Sequence, residues 1–176
     1  MGADAEGQIP PDLAFRQARP ADLPQIVSVL SEAAQWAKSR GVARWWSVPF
    51  PEEWVRRGID RGEVIIVEQG ARFVGTLTLR REDEMMWGEQ PPVAGYVHRI
   101  AIRREFAGQG LGGCILDWAE AEVRRWGRSK LRLDVLATNE SLLRYYRSRG
   151  FREVGRTQGN VPGEDRPSAL MERDVA

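Results

Sequence analysis

The sequence predicts an α/β protein of the α+β kind: a twisted, mixed, mostly antiparallel sheet of six to seven strands with helices on both faces. Three observations carry this. Seven β-periodic and four helix-periodic runs follow in the order strand, two helices, three strands, helix, strand, helix, two strands, which suits a mixed sheet with helices on both faces. An apolar strand, a Gly-rich turn and an amphipathic helix follow one another directly over residues 98–114. A second strand–helix–strand unit spans residues 130–154 and closes on Gly150-Phe151.

Taken in order, residues 1–12 read as a flexible leader and 13–176 as one domain. The chain has 176 residues, enough for one good core and too few for two. A first strand, 13–19, ends at Pro20. Leu23, Ile26, Val27 and Leu30 recur at helical spacing to about Ser39, with Asp22 placed to complement the helix dipole. Pro51 opens a shorter helix to residue 60. Strands at 63–68 and 72–80 form a hairpin about Gln69-Gly70. Residues 82–92 read as a polar loop before a strand at 94–102. A helix at 109–126, a strand at 130–136, a helix at 139–149 and strands near 151–157 and 168–174 complete the order.

Twenty-six basic and 25 acidic residues leave a net charge of +1, so no overall field favours nucleic acid or an anionic membrane. No stretch approaches a membrane span, and the N-terminus lacks a targeting signal, which leads to the expectation of a cytosolic protein. The single cysteine, Cys114, excludes an internal disulfide and reads as a small core residue. One histidine and one cysteine supply no metal-ligand cluster, so no metal is expected.

Within 98–114, Gly108, Gly110 and Gly112 let backbone N–H groups converge, and the helix from about Leu111 aims its positive end at the same point. Such a turn can hold a pyrophosphate. Gly108, Gly110 and Gly113 also satisfy G-x-G-x-x-G, but too little chain follows for the usual six-stranded dinucleotide fold. A Walker loop needs Gly-Lys, and Gly110 precedes Leu111. In the second unit, Asn139 and Tyr146 lie seven apart, two helical turns, and are expected on one face.

Together these stretches resemble the GNAT superfamily of N-acetyltransferases, which move acetyl from acetyl-CoA to an amine. The resemblance implies a splayed pair of parallel central strands, with coenzyme contacts from the main chain of Ile100, Ala101 and Ile102. It extends them to the turn formed by Ala107, Gly108, Gln109, Gly110, Leu111, Gly112 and Gly113, and to Asn139. Ala107 stands where the family motif carries Gln or Arg, which leaves the backbone amides of 108–112 to bind, with Arg103 or Arg104 able to supply charge. Asn139 also suits a helix N-cap. The resemblance places Tyr146 near the thiol as the acid that protonates the departing sulfur. Its alternative role is as an amphipathic core residue.

Amine acylation also needs a base. His98, the only histidine, shares strand parity with Ile100 and Ile102 and can titrate near neutrality; a hydrogen-bonded packing role is the alternative. Glu82, Asp83 and Glu84 form an acidic loop that could attract a cationic amine, or be simply solvated. Trp36, Trp46, Glu84 and Trp87 are the candidate acceptor-binding residues, the tryptophans serving as walls of an acceptor pocket, core or a subunit interface. The expected acceptor is a primary amine of a small molecule or peptide. An aminoglycoside or polyamine, a non-catalytic acyl-CoA sensor role and a homodimer stay open.

Overall fold

The computed structural model describes residues 10–41, 48–157 and 167–175. The strands are β1 (Leu13–Gln17), β2 (Val64–Gln69), β3 (Arg72–Arg80), β4 (Ala94–Ile102), β5 (Lys130–Leu136), β6 (Arg152–Arg156) and β7 (Ser168–Asp174). The helices are α1 (Leu23–Ser39), α2 (Glu52–Asp60), α3 (Glu84–Trp87), α4 (Leu111–Arg125) and α5 (Glu140–Ser148). All seven strands join one sheet in the order β1-β2-β3-β4-β5-β7-β6, in which β4–β5 is parallel and every other neighbouring pair antiparallel.

Alternation along β2 shows how both faces are covered. Val64 and Ile66 face one cluster, packed with Ile26 and Leu30 of α1 and Val55 and Ile59 of α2. Ile65 and Val67 face the other, which holds Leu116, Ala119 and Val123 of α4 and Leu143 of α5. A period-2 strand that is apolar at every position must be buried on both sides, and helices supply both covers. Each fully buried Ile or Leu contributes about 1.5–3 kcal/mol relative to exposure.

The expected elements differ from the observed ones in three places. The first strand ends at Gln17, because Pro20–Asp22 forms a 3-10 turn in which the Asp22 carboxylate accepts from the Arg19 N–H at 2.7 Å. The expected polar loop contains α3, whose Met86 turns inward while Met85 stays exposed. Of the expected leader, residues 1–9 lie outside the described residues, whereas Pro10 and Asp12 already accept hydrogen bonds from Leu13 and Gly70. Among the described residues no helix is long and apolar enough to cross a membrane.

One irregularity matters for function. Thr78 of β3 pairs with His98 of β4, but Thr76 pairs with Ala101, so β4 carries an extra residue at 99–100. Arg99 takes φ 52°, a left-handed conformation unfavourable for a side chain of its kind. Gly75, beside this bulge, admits the close approach: a Cβ there would lie 2.2 Å from the Ala101 carbonyl oxygen. The bulge overturns the parity argument for His98. Val97, Ile100 and Ile102 pack into the α4 cluster and Ala101 into the α1 cluster, so His98 faces the side opposite Ile100 and Ile102.

Candidate active site

Three residue pairs hold β4 to β5: Ala94 with Lys130, Gly95 with Leu131 and Tyr96 with Arg132. Beyond them β5 continues against β7 as far as Leu136, while β4 continues against β3 alone. The two strands therefore part, and the β4 edge from Val97 onward faces a wedge without a strand partner. An unpaired edge offers N–H and C=O groups at strand spacing to an extended ligand.

At the wide end, β4 leads through a 3-10 turn at Arg104–Phe106 into Ala107, Gly108, Gln109 and Gly110, all exposed. Gly108 (φ 80°) and Gly110 (φ 74°) are left-handed, and Gly110 is the N-cap of α4. Left-handed φ at these two glycines turns the loop so that the first-turn N–H groups of α4 open onto it, where the dipole favours an anion. Leu111 is buried and fixes the helix start. A Cβ on Gly112 would come within 2.8 Å of the Tyr145 hydroxyl, and one on Gly113 within about 3.1 Å of the Arg149 guanidinium, so these two make room for α5. Arg103 is committed to Ser28 (3.0 Å) and lies 4.0 Å from Glu32. Arg104 is exposed over the Trp36 ring and is the cation left at the turn.

In the narrow part of the wedge, His98 lies between two carboxylates. Nε2 is 3.2 Å from Asp83 and Nδ1 is 3.5 Å from Asp134. Both carboxylates are almost wholly buried, with 2% and 4% of their side chains exposed. The Nε2–Asp83 approach is short but misaligned, so both atoms lack a hydrogen bond. Arg80 Nε and Trp87 Nε1, also buried, lack one too. Of these, His98 Nε2 and Asp83 Oδ2 face each other and Arg80 Nε lies 3.5 Å from Glu63, so the strand end carries a close set of charged and polar groups. Asp83, His98 and Asp134 offer ligand-type atoms within 4.8 Å of one another, a grouping that counting His and Cys in the sequence missed. One ring nitrogen lies toward each carboxylate, so the imidazole bridges the two acids.

Tyr146 lies on α5, within the cluster that α4 covers. Its ring is buried, edge-on to Tyr145 at 5.3 Å and Phe151 at 5.6 Å. Among the described residues its hydroxyl makes no hydrogen bond. Burial, with Tyr145 and Asp134 nearby, pushes the phenol well above its ordinary pKa, so it stays protonated at every working pH. Asp134 thus stands near both His98 and Tyr146. Asn139 is the N-cap of α5 and lies just outside the helix, its Oδ1 accepting from the Leu142 N–H at 3.1 Å. This is the capping role that the sequence also allowed for Asn139.

The other sequence candidates are dispersed. Glu84 is exposed at the start of α3, and its neighbour Asp83 is the acidic residue that meets His98. Trp87 packs edge-on to Tyr96 at 5.9 Å beneath the Arg132 guanidinium. Trp36 lies between Arg40 and Arg104 at the turn. Trp46 lies outside the described residues. Two residues escaped the sequence reading. Asp134 is a polar position alternating with Leu131, Leu133 and Val135, a signal that it faces away from the α4 core. Arg99 could not be found, because nothing in the sequence announces the bulge.

A sequence profile described as the acetyltransferase (GNAT) family matches residues 43–151. An uncharacterized N-acetyltransferase of Bacillus subtilis, YesJ, is 28% identical over 141 residues, covering 76% of this chain and 78% of its own. A GNAT-family acetyltransferase from Listeria monocytogenes superposes with a TM-score of 0.77 at 26% identity, covering 93% of this chain and 95% of its own. The fold is also that of YncA from Salmonella typhimurium, a putative acetyltransferase solved with acetyl-CoA, at a TM-score of 0.68, 17% identity, and 93% and 94% coverage.

Proposed function

Since the chain belongs to the acetyltransferase (GNAT) family, we propose that it acetylates a primary amine of a small molecule, with His98 as base and Tyr146 as acid. The observation that carries this reading is the parting of β4 from β5 after three pairs, with the His98 imidazole beside Asp134 and the Tyr146 phenol near the same carboxylate.

The structure fits acetyl-CoA at two independent places. The unpaired β4 edge from Val97 to Ile102 suits the amides of an extended arm, and the loop at Gly108 and Gly110 presents helix N–H groups to a diphosphate, with Arg104 beside it. A Cβ at either glycine would meet nothing, so the space over the loop is open. When bound, acetyl-CoA supplies the acetyl group as an activated thioester.

Each chain residue then has a separate task. Alkyl ammonium groups have pKa values near 10, so a proton must leave before attack. His98 takes it, directly or through water, and the Asp83 and Asp134 carboxylates stabilise the imidazolium that results. Main-chain N–H groups on the open edge of β4 polarise the carbonyl oxygen. Tyr146, always protonated, donates toward the sulfur as negative charge develops there. Asn139 holds the start of α5 and so fixes where Tyr146 stands. The single cysteine is buried and its thiol pushed up, which removes it from the chemistry and fits the cytosolic setting expected.

Incubation with acetyl-CoA and a panel of primary amines, following release of free thiol, tests the reading. Acceptor-dependent release that is lost in His98→Gln and Tyr146→Phe is expected. Tight acetyl-CoA binding with no release for any amine would overturn it in favour of an acyl-CoA sensor.

A further inference from the structure

The bulge that turns His98 toward the two carboxylates also sets the next side chain, Arg99, on the α1–α2 side of the sheet. Its guanidinium lies over the rings of Phe50 (5.7 Å) and Trp54 (5.6 Å). It is half-buried, and among the described residues it makes no hydrogen bond and no ion pair. Its surroundings do not neutralise it well. Glu63 and Asp83 act on it from a distance, but Arg80 is a second cation nearby, and burial dominates, pushing its pKa down. Glu63 and Asp83 themselves lie within ion-pair distance of Arg80.

A half-buried cation without a partner is costly, and so is a left-handed Arg in a strand. The other arginines beside the sheet spend their charge, Arg80 on Glu63 and Asp83, Arg103 on Ser28 and Glu32, Arg132 on Glu172 and the Tyr96 hydroxyl, while Arg104 lies exposed at the glycine turn. Two costs accepted at one residue, adjacent in sequence to the base, point to a ligand that repays them. A guanidinium lying over two aromatic rings carries an N–H fork that matches a planar pair of oxygens, the geometry of a carboxylate.

We infer that the acceptor is a small amine bearing a carboxylate, as a free amino acid does, with its amine at His98 and its carboxylate on the Arg99 fork between Phe50 and Trp54. The inference rests on the transferase reading and narrows it. In the reaction a bond forms from the amine nitrogen to the acetyl carbon, the carbon–sulfur bond breaks, and the proton lost by nitrogen is matched by one gained by the thiol. A polyamine or aminoglycoside, which carries no anion, would place only like charge against Arg99 and Arg80.

The test compares free amino acids with their carboxamides, which keep the side chain and amine but lose the anion, as acceptors for the full-length enzyme with acetyl-CoA. The wild type is expected to favour the acid by about 100-fold in kcat/KM. In Arg99→Gln that ratio should fall to within about threefold, mostly through KM for the acid. Arg99→Lys, which keeps charge but not the planar fork, should give an intermediate ratio. Equal use of acid and carboxamide by the wild type overturns the inference, and that comparison stands even if a variant fails to fold. A preference that survives Arg99→Gln removes the role given to Arg99. If no amine releases thiol although acetyl-CoA binds, the transferase reading fails, and quenching of tryptophan fluorescence by amino acid against carboxamide judges the carboxylate site separately. Equal quenching by the two would then overturn the site as well.

Discussion

Replacing Tyr146 with phenylalanine removes one oxygen atom and leaves the packing intact. The ring contacts with Tyr145 at 5.3 Å and Phe151 at 5.6 Å survive, and the hydroxyl has no hydrogen bond to lose among the described residues. If the hydroxyl mattered only for the fold, its loss would cost about 1–3 kcal/mol, as for a broken buried hydrogen bond, and Tm would fall by several degrees at this chain length. The structure instead predicts a Tm within about 2 °C of wild type. A positioned acid contributes about 10²–10⁴ in rate, or about 3–5 kcal/mol of barrier. Turnover at saturating acetyl-CoA should therefore fall at least 100-fold, while acetyl-CoA affinity changes little. Thiol release measured by a colorimetric disulfide reagent gives the rate, and Cys114, only 7% exposed, adds little background. A kcat within threefold of wild type would refute the acid assignment. A parallel loss of kcat and Tm would show Tyr146 to be a structural residue.

Three further outcomes follow from the same geometry. Loss of a base lowers the rate without disturbing the fold, so His98→Gln should lower kcat at least 100-fold with Tm preserved; a kcat within threefold of wild type would contradict the assignment. Gly110→Ala forces a Cβ into a left-handed N-cap at about 1–2 kcal/mol without a clash, so KM for acetyl-CoA should rise more than kcat falls, as steady-state kinetics can show. Far from the site, Arg16 holds the Asp22 carboxyl down to about 2 through two hydrogen bonds. The unfolded chain then takes up this proton more readily than the folded one, so the stabilisation is complete above about pH 4 and is lost as pH falls toward 2. Discounted for partial exposure, Asp22→Asn should cost about 1 kcal/mol at pH 7 and much less at pH 2, read by urea denaturation at both.

The sequence carried the architecture well because burial on both faces leaves a strong periodic signal. Continuous apolar runs such as Val64 to Val67 and the α4 stripe of Cys114, Ile115 and Leu116 locate their elements without help. The Gly turn was equally legible, since left-handed positions demand a residue type. His98 was named for a parity the fold does not keep. One inserted residue at 99–100 reverses every side chain beyond it, and its cause lies partly in Gly75 on the neighbouring strand. Asp83 and Asp134 come from different elements, 51 residues apart in number, and meet His98 only through the sheet register. Short-range patterns cannot report such a meeting. The α3 helix escaped because four residues give no period to detect.

Backbone amide exchange with and without coenzyme A tests the wedge most directly, because the edge of β4 is unpaired until a ligand lies along it. Protection should appear in peptides covering residues 97–102 and 108–112, with little change in β2, which is already paired on both sides. Protection confined to other segments, or none at saturating coenzyme A, would contradict the account.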